Sequence, residues 1–124
     1  MKMFASEMLE AKNITLHFYT DEALYHLKLS MSQRRNIYFI FKEAVTNTAK
    51  YAAATNVIVK VSLQNKLIEL LVKDDGRGFD AAYHTMGGNG LYNMQKRARD
   101  LDGTLKIDSL KGEGTTVHLL FKIT

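Results

Sequence analysis

Residues 41–51, FKEAVTNTAKY, decide how the rest of this chain is interpreted. On a helix with 3.6 residues per turn, the polar side chains Glu43, Asn47, Lys50 and Tyr51 fall on one face. The other face is an apolar stripe typical of a buried core, and its members are Ile37, Phe41, Ala44, Thr48 and Ala52. The stretch therefore predicts a helix with one core face and one chemically distinctive face.

The distinctive face has large apolar neighbours, Phe39 and Ile40. One interpretation is a solvated helix face with aromatic and aliphatic residues beside it by chance. The other, which we prefer, is a polar wall inside a pocket. This helix alone does not decide between them, so the remaining motifs must.

Length and composition limit the possible classes of protein. The chain has 124 residues, 46% of them hydrophobic and 24% charged, which predicts one globular domain with a core of its own. It has no cysteine, which fits a reducing compartment, and no apolar run long enough to span a membrane. We expect a cytoplasmic domain without direct membrane contact. A net charge of +4 suits a polyanion, including a nucleotide triphosphate.

Hydrophobic periodicity gives the order of elements. A polar or helical lead-in over 1–12 and a loop with a helical turn over 21–29 surround the first strand. Strands are predicted at 14–19, 57–63, 66–73, 104–108 and 115–123, and helices at 30–53 and 91–101. The main helix begins at Ser30 because S-M-S-Q is a capping box, and the second is closed by Gly103. This order predicts an α+β fold with helices on one face of a mixed, mostly antiparallel sheet.

The strand at 66–73 runs into a carboxylate. Its apolar row of Ile68, Leu70 and Val72 continues by parity to Asp74, and the sequence DDGRGF follows. An uncompensated buried carboxylate is costly, so Asp74 needs a partner. The plainer interpretation is a turn aspartate before a glycine.

Glycines mark two further segments. Residues 79–90 lack periodicity and contain glycines, which predicts a loop of the kind that often serves as a lid. They end in GGNGL, residues 87–91, directly before a helix. Residues 112–115, GEGT, form a turn before the last strand.

Taken together, these motifs resemble the ATP-binding catalytic domain of bacterial sensor histidine kinases. The match rests on E-x-x-x-N-x-x-K-Y, D-x-G-x-G, G-G-N-G-L and G-x-G-T, in this order and these contexts. Tyr51 stands where the most similar subfamily has histidine, a mild departure. The resemblance implies the Bergerat fold, a two-layer α/β sandwich, over residues 14–124. Residues 1–13 are then the stub of a linker from a preceding dimerisation region.

The resemblance also implies roles for individual residues, and the physical chemistry of each agrees. Asp74 accepts a hydrogen bond from the adenine amine, and the glycines after it let the backbone approach the base. Asn47 offers an oxygen to Mg²⁺. The glycine-rich loop directly precedes a helix whose first amides can bind phosphate. The ATP-binding set is Asn47, Lys50, Tyr51, Asp74, Gly76, Gly78, Gly88, Gly90, Leu91 and Thr115; the catalytic pair is Glu43 and Asn47, and Asn47 is the Mg²⁺ ligand. Glu43 would orient or deprotonate the acceptor.

None of the histidines of this chain has the sequence context of a phosphoryl acceptor. The acceptor histidine in such kinases precedes an acidic residue, whereas His17, His26, His84 and His118 precede other residue types. We therefore expect an ATP-dependent histidine kinase fragment that phosphorylates a separate dimerisation domain, with a response regulator downstream. A serine kinase of the anti-sigma type, a stand-alone ATPase and a degenerate nucleotide-binding module remain open. Nucleic-acid binding rests on charge alone, and we do not expect it.

Overall fold

The computed structural model describes residues 1–51, 53–77 and 90–123, without the side chains of Tyr25 and Tyr51. The elements in chain order are α1 Lys2–Glu10, β1 Thr15–Thr20, a 3₁₀ helix Glu22–His26, α2 Met31–Tyr51, β2 Asn56–Gln64, β3 Leu67–Asp74, α3 Gly90–Asp100, β4 Thr104–Ser109 and β5 Thr115–Lys122. The predicted lid, residues 79–90, lies outside the described residues except for Gly90. None of the described helices is both long enough and apolar enough to cross a membrane.

The strands form one five-stranded sheet in the order β1-β2-β3-β5-β4. β1 and β2 are parallel, and the other three pairs are antiparallel. The helices α1, α2 and α3 contact β1, β3 and β4 respectively. The predicted α+β class, with helices layered on one side of a mixed sheet, is confirmed.

The core lies between α2 and the inward rows of the strands. On the α2 side, the fully buried residues are Ile40, Phe41 and Val45. The strand residues that they cover alternate along each chain, as the period of two requires. These buried strand residues are Val57, Val59, Val61, Ile68, Leu70, Val72, Leu105, Val117, Leu119 and Phe121.

The start of α2 is fixed by its cap and by the sheet. The Ser30 hydroxyl accepts from the Gln33 amide at 3.1 Å, which is the predicted N-cap. The Gln33 side chain donates to the Lys122 carbonyl at 3.1 Å. This glutamine thus ties the first turn of the helix to the end of β5.

The lead-in is a helix that packs on the domain. Ala5 and Leu9 of α1 are fully buried. Phe4 makes an edge-to-face contact with Phe41, with ring centroids 6.2 Å apart, and a tilted contact with Tyr38. These residues belong to the same core as α2, whether or not a dimerisation region precedes them; that origin stays a prediction.

Two turns differ in detail from their predictions. The β2–β3 turn is centred on Asn65 and Lys66, whose φ angles of 53° and 65° are those of a tight hairpin, so β3 begins at Leu67, one residue after the predicted start of that strand. At the end of α3 the left-handed residue is Asp102, with φ 52°, and the Gly103 amide donates to the Ala98 carbonyl at 2.9 Å.

Gly103 is needed for a different reason from the one expected. A Cβ at this position would lie 2.8 Å from the Leu120 carbonyl oxygen and 2.9 Å from the Phe121 Cβ. The absence of a side chain therefore allows the end of α3 to approach β5 closely.

Candidate functional site

Asp74 lies at the end of β3, opposite Val57 of β2 and Thr115 of β5. It is only 5% exposed, as the parity of the strand predicted. Its Oδ1 accepts from the Gly76 amide at 2.9 Å and from the Thr115 amide at 3.3 Å. Its Oδ2 accepts from the Thr48 hydroxyl at 3.3 Å.

This arrangement leaves the carboxylate with capacity to spare. An ionised carboxyl offers about four lone-pair sites, and the described partners fill two on Oδ1 and one on Oδ2. Oδ2 is therefore the atom with room for a further donor. Burial raises the pKa of Asp74, the Gly76, Thr115 and Thr48 hydrogen bonds lower it, and the nearby Asp75 charge raises it. The net direction is upward.

The neighbouring Asp75 has a different, structural function. It is exposed, and its Oδ1 accepts from the Thr55 and Asn56 amides at 2.8 and 2.9 Å. Its Oδ2 accepts from the Asn56 side chain at 3.0 Å. The hydrogen bonds from Asn56 lower the pKa of Asp75. Asp75 thus holds the start of β2 to the end of β3, and only Asp74 points inward.

Gly114 touches Asp74 from the adjacent turn. Its φ is +85°, and a Cβ there would lie 2.3 Å from the Asp74 carbonyl oxygen and 3.4 Å from its Oδ1. Gly112 in the same turn has a similar φ of +88°, but a Cβ there would meet nothing within 4 Å. Gly114 is thus required both by its backbone angle and by its distance from Asp74.

We predict that Gly114→Ala lowers the free energy of unfolding by about 2–3 kcal/mol, and Gly112→Ala by about 1 kcal/mol. Both changes force an alanine into a left-handed conformation, but only the first drives a methyl group into the Asp74 backbone. Chemical denaturation of the two variants measures the difference. Equal destabilisation by the two substitutions would contradict the close approach.

The polar face of α2 meets the beginning of α3. A Cβ on Gly90 would lie 3.1 Å from Glu43 Oε2 and 3.5 Å from Asn47 Nδ2. Glu43 and Asn47 are half-buried. The structure thus brings three predicted site residues together. Because Gly90 is the first residue of α3, the free amides of that helix begin beside the two side chains.

Thr48 connects this wall to Asp74. It follows Asn47 on α2, is 5% exposed, and its hydroxyl also lies 3.1 Å from the Ala44 carbonyl. The helical periodicity places Thr48 on the apolar stripe and does not indicate its role beside Asp74. A hydroxyl on an otherwise apolar face was the available signal.

The remaining predicted residues take different positions. Thr115 uses its amide for Asp74 and its hydroxyl for Ser109 Oγ, at 2.8 Å. Leu91 is buried on the core side of α3, and Lys50 is exposed in the last turn of α2. Gly78, Gly88 and the Tyr51 side chain lie outside the described part of the molecule.

Arg97 explains the apolar border of the α2 face. Its guanidinium stacks over the Phe39 ring, 4.6 Å from the centroid, and donates to Asn36 Oδ1 at 3.3 Å. The aromatic side chain is thus half-buried under α3. Arg97 thus fastens α3 to α2.

Within the described ranges, no three His, Asp or Glu side chains are grouped to hold a metal ion. A cation at the α2–α3 junction would have the Asn47 amide oxygen and the Glu43 carboxylate nearby. Mg²⁺ commonly binds through one or two protein oxygens together with substrate phosphates and water. The residues present fit a metal that arrives with a nucleotide better than a resident one.

Comparison with known proteins places the chain in a family. Residues 32–124 match the model of the histidine kinase-, DNA gyrase B- and HSP90-like ATPases. The chain belongs to that ATPase family. Within this family, the chain is an ATP-binding catalytic domain of the sensor histidine kinase type.

The similar proteins are much longer than this chain. It is 36% identical over 93 residues to an uncharacterized sensor-like histidine kinase of Chloroflexus aurantiacus, a match covering 70% of this chain and 16% of that protein. It is 32% identical over 108 residues to the sensor histidine kinase ComP of Bacillus subtilis, covering 85% and 14% respectively.

The fold agrees with solved structures. The histidine kinase domain of the Erythrobacter litoralis EL346 blue-light activated histidine kinase superposes with a TM-score of 0.80 at 19% identity. That match covers 96% of this chain and 57% of the other. At this identity the likeness concerns the fold.

Proposed function

We propose that this domain binds Mg²⁺-ATP between α2, the end of β3 and the start of α3, and transfers the γ-phosphoryl group to a histidine on a dimerisation domain. The observation that carries the proposal is the inward Asp74 carboxylate with a free acceptor position on Oδ2. The carboxylate is bonded to Thr48, the residue after Asn47 on α2, and Asn47 lies with Glu43 at the start of α3.

Adenine fits the Asp74 end of the site. The exocyclic amine is a donor, and Oδ2 is the acceptor with capacity left. Gly76 and Gly114 next to the carboxylate carry no side chain that would keep a flat base away. In this arrangement Asp74 selects the base and supplies no chemistry.

The triphosphate is assigned to the other end of the site. The free amides at the start of α3, with the positive end of its dipole, suit phosphate oxygens, and Lys50 and Tyr51 follow one turn after Asn47 on α2. Asn47 would hold Mg²⁺, which neutralises charge on the phosphates when bound. Glu43, one turn earlier, would orient the acceptor histidine or take its proton.

The acceptor is assigned to another domain. Of the four histidines, His17 lies 3.2 Å from Asn56 Oδ1 and His118 lies 2.9 Å from Glu69 Oε2, both on the sheet face away from the helices. None of the four precedes an acidic residue. The proposed sequence of transfers runs from ATP to a dimerisation-domain histidine and then to a response regulator, all in the cytoplasm.

We expect labelled γ-phosphate to appear on a separately supplied dimerisation domain from a sensor histidine kinase of this type, and not on this chain alone. Positioning and charge stabilisation provide most of phosphoryl-transfer catalysis, and the added domain contributes the nucleophile. Without a covalent linker the effective concentration is low, so the rate should increase with the concentration of the added domain. Acid lability of the label identifies phosphohistidine.

The control is an acceptor domain whose phosphoacceptor histidine is replaced by glutamine. Acid-labile label on this chain alone would show that one of its own histidines is an acceptor. Acid-stable label on the acceptor domain would favour a serine kinase. Phosphate release without label would favour a stand-alone ATPase, and nucleotide binding without either reaction would favour a binding module.

A further inference from the structure

Thr48 occupies an unusual position for a hydroxyl, inside the core and between two acceptors. Its Oγ1 lies 3.1 Å from the Ala44 carbonyl oxygen and 3.3 Å from Asp74 Oδ2. Both Thr48 and Asp74 are 5% exposed. A hydroxyl has one hydrogen, so Thr48 can satisfy only one of these acceptors at a time.

The charge on Asp74 decides which acceptor receives the hydrogen. A hydrogen bond to an ionised group is about twice as strong as one between neutral groups, so an ionised Asp74 attracts it. A protonated Asp74 would instead donate from Oδ2 to the Thr48 oxygen, and Thr48 would donate to Ala44. Donation from Thr48 to Oδ2 therefore occurs only when Asp74 is ionised, and this charge-assisted hydrogen bond favours the ionised form.

We propose that Thr48 is a specificity-determining residue, which holds Asp74 as a pure acceptor and thereby makes the site select a 6-amino purine over a 6-oxo purine. Asp74 is the acceptor in all of its described hydrogen bonds, and the donors are the Gly76 amide, the Thr115 amide and the Thr48 hydroxyl. The lone pair left on Oδ2 attracts the amine of adenine and repels the carbonyl oxygen of hypoxanthine.

Thr48 differs from the other two donors because it is a side chain. The Gly76 and Thr115 amides both bind Oδ1 and belong to the backbone. Thr48 binds the oxygen that is assigned to the base. Burial raises the pKa of Asp74 and the Thr48 bond opposes that rise. Without the hydroxyl, the buried carboxyl is protonated more readily, and a protonated carboxyl can donate to a 6-oxo group.

The inference rests on the proposed assignment of Asp74 to the adenine base. The test compares dissociation constants for ADP and inosine diphosphate, measured by calorimetry at one pH and one Mg²⁺ concentration. The two nucleotides carry the same sugar and phosphates, so their ratio isolates contacts to the base. The variant is Thr48→Val, which keeps the branched shape and removes the hydroxyl. Thr48→Ser restores the hydroxyl, and Thr46→Val is the matched control on the same helix.

We expect Thr48→Val to weaken ADP binding and to leave inosine diphosphate binding unchanged or tighter, so that the preference for ADP falls by at least about tenfold. Thr48→Ser should recover the preference, and Thr46→Val should behave like the wild type. Equal weakening of both nucleotides, or loss of preference in Thr48→Ser as well, would show a packing role and overturn the proposal.

Asp74→Asn separates failure of this inference from failure of the proposed function. If Asp74→Asn binds ADP as tightly as the wild type, Asp74 does not contact the base, and both the assignment and the inference are wrong. If it loses ADP affinity while Thr48→Val keeps the full ADP preference, the adenine site stands and only the role of Thr48 is rejected. Thermal unfolding of Thr48→Val establishes that the variant is folded.

Discussion

Replacing Asp74 with asparagine is expected to weaken ATP binding by about a hundredfold without destabilising the fold. The introduced amide would accept the Gly76 and Thr115 donors through its oxygen and donate to Thr48 through its nitrogen. Thr48 could then give its hydrogen to Ala44. The site would present a donor to the amine of adenine, and two opposed donors in a buried site lose about 1–3 kcal/mol of binding.

The stability of the same variant should move in the other direction. Burial raises the pKa of Asp74 above its usual 3.8, so the stabilising contribution of this group is full below that unfolded value and is lost as the pH rises through the folded pKa. Asp74→Asn has no such loss. We therefore expect its free energy of unfolding near neutral pH to equal or exceed that of the wild type, and the difference to shrink as the pH is lowered.

Asp74→Ala is the matched comparison. It also removes nucleotide affinity, but it leaves the buried Gly76 amide and the Thr115 amide without their acceptor, which costs about 1–3 kcal/mol of stability. Calorimetric titration with ATP and urea unfolding of both variants measure the two effects. Wild-type ATP affinity in Asp74→Asn would refute the assignment of Asp74 to the base.

The position of Asp74 could be predicted from sequence because a strand has a period of two. The row of Ile68, Leu70 and Val72 fixed which of two adjacent aspartates points inward. The burial of Asp74 and the outward clamp formed by Asp75 both follow from that parity. Local periodicity is enough wherever the function of a residue depends on the face it occupies.

Thr48 and Gly114 show where this reasoning ends. The position of Thr48 on α2 is that of a core residue, and its partner is 26 positions away in the sequence. Gly114 needs its small size because the β4–β5 turn passes over the Asp74 backbone. Both depend on how β3 and β5 are placed relative to α2, which periodicity does not specify.

The sequence predicts where the helices begin and end, but not which distant residues contact their ends. Ser30 caps α2 as the motif indicates, since that bond is local. The Gln33 side chain donates to the Lys122 carbonyl, 89 positions away, and the local motif gives no indication of this tertiary bond. Asp102 rather than Gly103 adopts the left-handed conformation after α3, because the size of Gly103 is set by the approach of β5.

Asn47→Ala is expected to reduce phosphoryl transfer by about 1,000-fold while weakening ADP binding by less than about tenfold. Asn47 lies at the α2–α3 junction, beside Glu43 and the first residue of α3, and its neighbour Thr48 donates to Asp74. An oxygen that holds Mg²⁺ acts on charge at the transferring phosphoryl group, where a metal contributes several kcal/mol to the transition state. In the proposed assignment the base contacts Asp74 rather than Asn47, so most nucleoside affinity should persist.

The measurement combines calorimetric ADP binding with the rate of labelled phosphate transfer to the added dimerisation domain over a range of Mg²⁺ concentrations. Asn47→Asp keeps an oxygen ligand, so it should retain more activity than Asn47→Ala and respond to added Mg²⁺. Thr46→Ala, on the preceding residue of the same helix, should transfer phosphate at the wild-type rate. A wild-type transfer rate in Asn47→Ala at limiting Mg²⁺ would exclude Asn47 as the metal ligand. Equal loss of ADP binding and transfer would instead assign it to holding the nucleotide.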